Sequence, residues 1–329
     1  MVAAAIRRKT GFSGMRPLDT ARDLGGVASV VAEAFRGEMD PAGARVVREM
    51  RFVGYLGPLA WWLDLFAPVG EGFTPGFVWL EDGRIVGNAT LRRALPSWRG
   101  WIVGNVAVLP EYQGRGIGRE LVQACVARAR DEDGEWVALE VRADNAPAHH
   151  LYQSLGFQQT GTVAMLRHEV GAPRPGQVDA PPTIHVRRPR SGEGKAIFAL
   201  AQSATPSGLR WAEPLRESEF AFSWERNLDL WLVGQRESWW VAQSDGRIIG
   251  AIEAHAFRNP HEEGRLRMWA AVGSGLYDTL IDAALGQREL ASRPMVIAHP
   301  GDDADALQAI ARAGFAPLRT LAHMKLDLK

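Results

Sequence analysis

The sequence predicts a mixed α/β fold built twice, as two tandem halves. Three observations carry that expectation. Residues 171–183, "GAPRPGQVDAPPT", are rich in Pro and Gly and lack any apolar period, so they read as a linker. The segments on either side repeat the same landmarks in the same order. "MRPLDT" and "VRRPRS" begin them, Asp82-Gly83-Arg84-Ile85 matches Asp245-Gly246-Arg247-Ile248, and Gly156-Phe157 matches Gly314-Phe315. Within each half, a hairpin gives way to alternating strands and helices before a final pair of strands. The expected division is residues 1–170, a linker at 171–183, and residues 184–329.

Each element has a local reason. Val27 to Phe35 reads as the first helix, and Val78 to Glu81 with Arg84 to Leu91 as strands joined by an Asp-Gly turn. Trp101 to Leu109 is a strand rich in Val and Ile. Gly116 to Ala129 is helical, with Ile117, Leu121, Val122, Cys125 and Val126 recurring at helical spacing. Trp136 to Val141 is the next strand. Asn145 caps the following helix, with Pro147 in its first turn. Ala148, Leu151, Tyr152 and Leu155 share one face of that helix, and Gly156 ends it.

Composition narrows the function classes. Lys plus Arg and Asp plus Glu are each 38 in 329 residues, so the formal net charge is zero. That argues against broad binding to nucleic acid or to anionic membrane. Cys125 is the single cysteine, which excludes an intrachain disulfide framework and points to a cytoplasmic setting. It lies in the apolar pattern "LVQACVARA" and reads as a buried thiol. The longest apolar region, "VGYLGPLAWWLDLFAPVG", contains Gly57, Pro58, Asp64 and Pro68 and makes a poor membrane span; it reads as a buried helix pair or a pocket wall.

"VLPEYQGRGIGREL", residues 108–121, places three glycines in five positions and then turns into a helix. A helix start offers backbone N–H groups without intrahelical acceptors and about half a positive charge. Gly114, Gly116 and Gly118 remove side chains that would hold an anion away, and Gln113, Arg115 and Arg119 can add donors and charge. The expected guest is a phosphate or diphosphate. The dinucleotide pattern fails because Arg119 stands where a third glycine is required, and the Gly-Lys of the nucleoside-triphosphate loop is absent. A tight turn with no ligand is the competing reading.

Gln113-Gly114-Arg115-Gly116-Ile117-Gly118 resembles the Q/R-x-x-G-x-G/A motif of the GNAT superfamily, the acyl-CoA-dependent N-acyltransferases. "LEVRADNAPAHHLYQSLGF" is similar to that family's second signature, a strand, an Asn, and a helix ending in L-Y-x-x-L-G-F. The resemblance covers roughly residues 12–170 and, more weakly, the second half. It implies two acyl-CoA N-acyltransferase-like domains, each with a mixed, mostly antiparallel, splayed sheet flanked by helices. It implies acetyl-CoA as cosubstrate, its pantetheine arm pairing with the backbone at Val106, Ala107 and Val108 and its diphosphate resting on residues 113–118. Arg119 would add charge at that site, and Asn145 would reach the pantetheine. The implied activity is acetyl transfer to a primary amine by direct attack.

The resemblance also places Tyr152 as the acid that protonates the departing thiolate, and a backbone N–H near Val108 as donor to the developing oxyanion. The residues alone leave Tyr152 open to a core role. No general base is evident: "WIVGNVAV" lacks a carboxylate, Asn105 could hold a relaying water, and Glu38, Asp40 and Glu140 read as surface or strand charges. His149 and His150 are adjacent rather than at i and i+4, so no metal is expected. Trp61, Trp62, Trp79, Trp98 and Trp101 read as core, with an acceptor-lining role as the alternative. The acceptor is expected to be a small-molecule or peptide amine, and the chain a monomer with pseudo-dimeric halves or a homodimer.

Aligning the second half opposes Ile310 to Tyr152, Tyr277 to Gly118, Val272 to Gln113, and Ser274 and Asp278 to the two loop arginines. That half is expected to be non-catalytic and a poor binder of acyl-CoA. A non-catalytic acyl-CoA sensor or interaction protein remains the alternative for the whole chain.

Overall fold

The computed structural model describes residues 11–36, 48, 76–94, 99–171, 184–212, 214–271 and 273–328. Glu38, Asp40, Trp61, Trp62, Trp98, Val272, the long apolar region and nearly all of the linker lie outside them. The chain packs as two compact units. The first comprises Met1–Leu139, His150–Gln158 and Lys325–Lys329, and the second Glu140–His149 and Gln159–Met324.

In the first unit, strands β1 (Gly14–Pro17), β2 (Gly76–Glu81), β3 (Arg84–Arg93), β4 (Gly100–Val108) and β5 (Trp136–Arg142) neighbour one another in that order. β1 to β4 are antiparallel, and β4 and β5 run parallel. Helix α1 (Thr20–Ala34) and helix α2 (Ile117–Asp131) pack on β3 and β4. The core joins Val27 and Ala28 of α1, Val86 and Leu91 of β3, and Leu121, Val122 and Cys125 of α2, all fully buried. Burial of the Cys125 thiol raises its pKa to about 12, so it remains a protonated, apolar filler.

Helix α1 starts seven residues before the expected Val27, because Gly25-Gly26 resembles a break. Gly26 serves close approach instead, since a Cβ there would lie 2.8 Å from Ile85 Cδ1. Asp23 fixes the helix start: its carboxylate accepts from the Asp19 N–H at 2.8 Å and from Arg16 at 2.6 and 2.7 Å. The Asp23 side chain is 3% exposed. Desolvation raises its pKa, but the bonds from Arg16 and Asp19 outweigh that and hold the carboxylate below its ordinary value. Asp23→Ala is expected to destabilise the protein by about 3 kcal/mol, because Arg16 loses its charge partner. Urea denaturation measures this, and a loss below about 1 kcal/mol would show that the pair does not anchor the helix.

In the second unit the strand order is β12 (Ala316–Asp327), β6 (Gln158–His168), β11 (Met295–Pro300), β10 (Gly264–Ala270), β9 (Arg247–Phe257), β8 (Gln235–Ser244) and β7 (His185–Arg187). β10 and β11 run parallel, and β6 pairs antiparallel with β11 from His168↔Met295 to Val163↔Pro300. Thus β6, which chain order assigns to the first half, contributes Leu166 to the core of the second unit. One face of this sheet packs Leu276, Leu280 and Ile281, at and after the start of helix α6 (Tyr277–Leu285), and Ile310 of helix α8 (Ala304–Arg312). The other packs Ile197 and Ala201 of helix α4 (Gly194–Ala204) with Phe220, Trp239 and Trp269.

The duplication is visible in backbone detail. Asp82 and Gly83 turn the first hairpin at φ 48° and 79°, and Asp245 and Gly246 turn the second at 48° and 75°. Both hairpins shift register at the equivalent step, Trp79/Leu80 and Ala242/Gln243.

Candidate active site

The site in the first unit begins where two strands part. β4 and β5 pair from Gly100↔Trp136 to Val103↔Leu139, and the pairing stops there. Beyond Val103, no described strand pairs with the other edge of β4 along Gly104–Val108, where the Val108 carbonyl accepts from a side chain of the following turn. Val106 and Val108 are partly exposed and Ala107 is buried. Halfway along that edge the register shifts between Asn88 and Thr90, and Asn105 occupies the left-handed region at φ 49°. A bulge of this kind re-aims the backbone that follows it.

Two side chains of β3 hold the bulge. Asn88 Nδ2 donates to the Asn105 carbonyl at 2.6 Å, and Thr90 Oγ1 donates to the Gly104 carbonyl at 2.9 Å. Asn88 is fully buried, and its Oδ1 accepts from no described residue. A buried amide left partly unsatisfied costs about 1–3 kcal/mol, so a positioning role offsets its presence. The sequence reading passed over Asn88. Its signal was a polar residue among the apolar positions of β3. Asn88→Ala is expected to lower kcat by about tenfold or more through misplacement of the bulge. Steady-state kinetics beside a coenzyme titration would check this, and a kcat loss that tracks only a falling melting temperature would reduce Asn88 to a stabilising residue.

The turn after β4 leaves its amides open. Leu109 N–H donates to the Val86 carbonyl, and a single 3₁₀ turn, Pro110–Tyr112, follows. Gly114 and Gly116 take φ 74° and 83°, and Gly116 caps α2 without any side-chain bond. A Cβ at either glycine would meet no atom within 4 Å. The N–H groups of residues 114–119 donate to no described residue. An open cradle of left-handed glycines beneath a helix start fits an anionic group. Gly118 does not share this geometry: a Cβ there would make ordinary contact with Leu151 at 3.6 Å.

The polar side chains around the turn are partly engaged. Gln113 Nε2 donates to the Val108 carbonyl at 3.0 Å, tying the turn to the strand end. Arg115 donates to the Glu111 carbonyl and lies 4.8 Å from the Tyr112 ring centre. Arg119 donates to Ser154 Oγ at 2.7 Å. All three are exposed and within reach of solvent.

Tyr152 lies on helix α3 (Ala146–Ser154), which Asn145 caps through Oδ1 accepting from the Ala148 N–H at 3.1 Å. Tyr152 is 6% exposed, stands edge-on to Phe157 at 6.0 Å, and bonds through its hydroxyl to no described residue. Desolvation raises its pKa to about 12, so the phenol keeps its proton at neutral pH. Trp101 is a core residue at 2% exposure, with the Arg93 guanidinium 4.3 Å from its ring centre. Trp79 is half-buried and donates to Glu81. Glu140 is exposed on β5 and belongs to the second unit. Among the described residues no three His, Cys, Asp or Glu side chains gather as a metal site, and no helix is long and apolar enough to cross a membrane.

The corresponding turn of the second unit keeps the shape, and a Cβ at Gly273 or Gly275 would likewise meet no atom within 4 Å; the side chains around it differ. Gly273 and Gly275 take φ 71° and 63°, and Ala271 N–H donates to the Ile249 carbonyl as Leu109 does to Val86. The Tyr277 hydroxyl, however, donates to Asp303 Oδ2 at 2.6 Å, and His299 Nε2 lies 3.1 Å from the same oxygen. The β9–β10 register runs without a bulge, and Ile310, opposite Tyr152, is fully buried.

A parallel strand pair that parts beside a turn of open amides is the geometry the GNAT resemblance implies. The model of the acetyltransferase (GNAT) family matches residues 47–157. A GCN5-related N-acetyltransferase from Sphaerobacter thermophilus aligns over 96% of this chain and 95% of its own, with TM-score 0.64 and 17% identity. A tandem GNAT protein from the clavulanic acid biosynthesis pathway aligns over 95% and 98%, with TM-score 0.56 and 18% identity. At these identities the two structures establish the fold alone. The N-alpha-acetyltransferase RimI of Mycobacterium tuberculosis is 44% identical over 83 residues, 25% of this chain. The chain spans about half the length of that relative, 50%. Residues 47–157 thus match the GNAT acetyltransferase family, and the chain shares the fold of GNAT proteins.

Proposed function

We propose that the chain is an N-acetyltransferase that moves an acetyl group from acetyl-CoA to a primary amine, with the chemistry confined to the first half. The observation that carries this reading is the open cradle at Gly114 and Gly116 beside a strand edge freed at Gly104–Val108. The amides of residues 113–118 would hold the diphosphate, with Arg115 and Arg119 adding charge. The backbone at Val106, Ala107 and Val108 would pair with the pantetheine amides, and Asn145 would bond to the same arm. Bound acetyl-CoA supplies the activated acyl group as a thioester. Tyr152 holds its proton and offers it at Oη to the leaving sulfur. The acceptor must lose a proton before attack, since a lysine-like amine has a pKa near ~10.4.

The second half would serve as a non-catalytic partner of the first. Tyr277 stands at the helix start opposite Gly118 and donates to the Asp303 carboxylate, whose negative charge opposes a diphosphate there. The full chain is therefore expected to bind a single equivalent of acetyl-CoA in isothermal titration, and to release free thiol when an amine is supplied. Two equivalents would reinstate the second half as a coenzyme site. Binding without turnover across a broad amine panel would make the chain an acyl-CoA sensor. Peptide N-termini head that panel, because the RimI relative is named an N-alpha-acetyltransferase.

A further inference from the structure

The second unit contains a cavity of about 240 Å³. It lies where the parallel pairing of β10 and β11 ends, at Leu266↔Ile297. β10 continues to Ala270 against β9, and β11 continues to Pro300 against β6. Among the described residues, the strand edges that face each other past that point have no partner strand. In an antiparallel pair alternate residues turn both backbone groups away from the partner, so part of Arg267–Ala270 presents amides to this space. A fold that had only lost its coenzyme would gain by closing such a gap, because an unfilled space forfeits packing and leaves polar backbone unpaired.

The chemistry of the walls differs from end to end. Met165, Leu209, Met268 and Trp269 give an apolar body. At the turn end stand Tyr277, His299 and Asp303, joined by the bonds already described, and a carboxylate there repels phosphate. On the opposite face of the sheet, Arg267 is neutralised by Glu253 and Glu219. The Arg265 side chain, which also lines the cavity, makes no hydrogen bond or ion pair with a described residue. The volume falls below the ~300–1,000 Å³ typical of clefts for drug-sized ligands, which suits a metabolite or the end of a peptide.

We propose that this wedge is a binding site for a short, extended ligand that carries an amide, an apolar side group and a free carboxylate. The amide pairs with the open edge of β10, as an added strand would. The apolar group packs on Trp269 and Met165, and the carboxylate meets the Arg265 guanidinium. An N-acyl amino acid and a peptide C-terminus share this chemistry. The assignment is independent of which half carries out acetyl transfer.

The test titrates the full chain, saturated with acetyl-CoA, with N-acetyl-L-leucine, its carboxamide and glycylglycyl-L-leucine, followed by ligand-observed NMR. The site takes N-acetyl-leucine, the tripeptide or both, and the difference between them identifies the source of the ligand. The carboxamide is expected to bind about tenfold more weakly than the acid, and Arg265→Ala to impose a similar loss. Ala298→Trp, which fills the cavity from β11, is expected to abolish binding while acetyl-CoA turnover is unchanged. Arg265→Ala lies on an exposed position and serves if Ala298→Trp does not fold. Failure of both carboxylates to bind at millimolar concentration, or binding by Arg265→Ala equal to that of the unaltered chain, overturns the proposal.

Discussion

Replacing Tyr152 by Phe is expected to lower kcat by about 100-fold to 1,000-fold, the range over which a positioned general acid acts. The corresponding barrier increase is about 3–4 kcal/mol. The variant keeps the ring that stands against Phe157, so folding and coenzyme affinity are expected to remain. The sign of the pH dependence follows from burial. The Tyr152 pKa is raised to about 12, so the phenol stays protonated while an amine acceptor sheds its proton. The rate is expected to climb with pH toward ~10 as free amine accumulates, with no falling limb from Tyr152 in that range. A kcat within about twofold of the unaltered enzyme would leave Tyr152 as a core aromatic and remove it from the chemistry.

Gly116→Asp is expected to weaken acetyl-CoA binding by about 100-fold or more. Two effects combine there. The residue sits at φ 83°, where a side chain costs about 1–2 kcal/mol, although Asp tolerates that region better than most. The added carboxylate also enters the space proposed for a diphosphate, and like charges at close range oppose each other. Gly116→Ala separates the two, because its methyl group meets no atom within 4 Å and adds no charge. Calorimetry of both variants decides: a large loss in Asp with a small loss in Ala supports an anion site. Equal and small losses would reduce the turn to a strand-to-helix connection.

Much of the fold was legible because local chemistry and tertiary structure agree. The Asp-Gly hairpins, the Val- and Ile-rich β4 and the amphipathic α2 all form where periodicity and turn residues place them. The glycine turn was legible for the same reason, since Gly114 and Gly116 stand where left-handed backbone is needed. What escaped were features set by distant partners. The first turns of α1 were missed because Gly25-Gly26 signals a break, whereas packing on Ile85 calls for a small residue. Gln113 read as a free donor, and its bond to the Val108 carbonyl exists only once the chain has turned. The clamp from Asn88 to Asn105 joins residues on two strands, which no local pattern records. The cavity of the second unit escaped because a loss of motif reads as a loss of binding, while the parting of two strands is a property of the sheet.

The assignment of Lys325–Lys329 to the first unit, where Leu328 N–H donates to the Glu135 carbonyl at 2.8 Å, bears on how this protein is made and cut. A fragment severed in the Pro- and Gly-rich stretch would carry away β6 while forfeiting the tail that the first unit borrows. During translation the same unit would wait, one thread short, until residues 325–329 had been made.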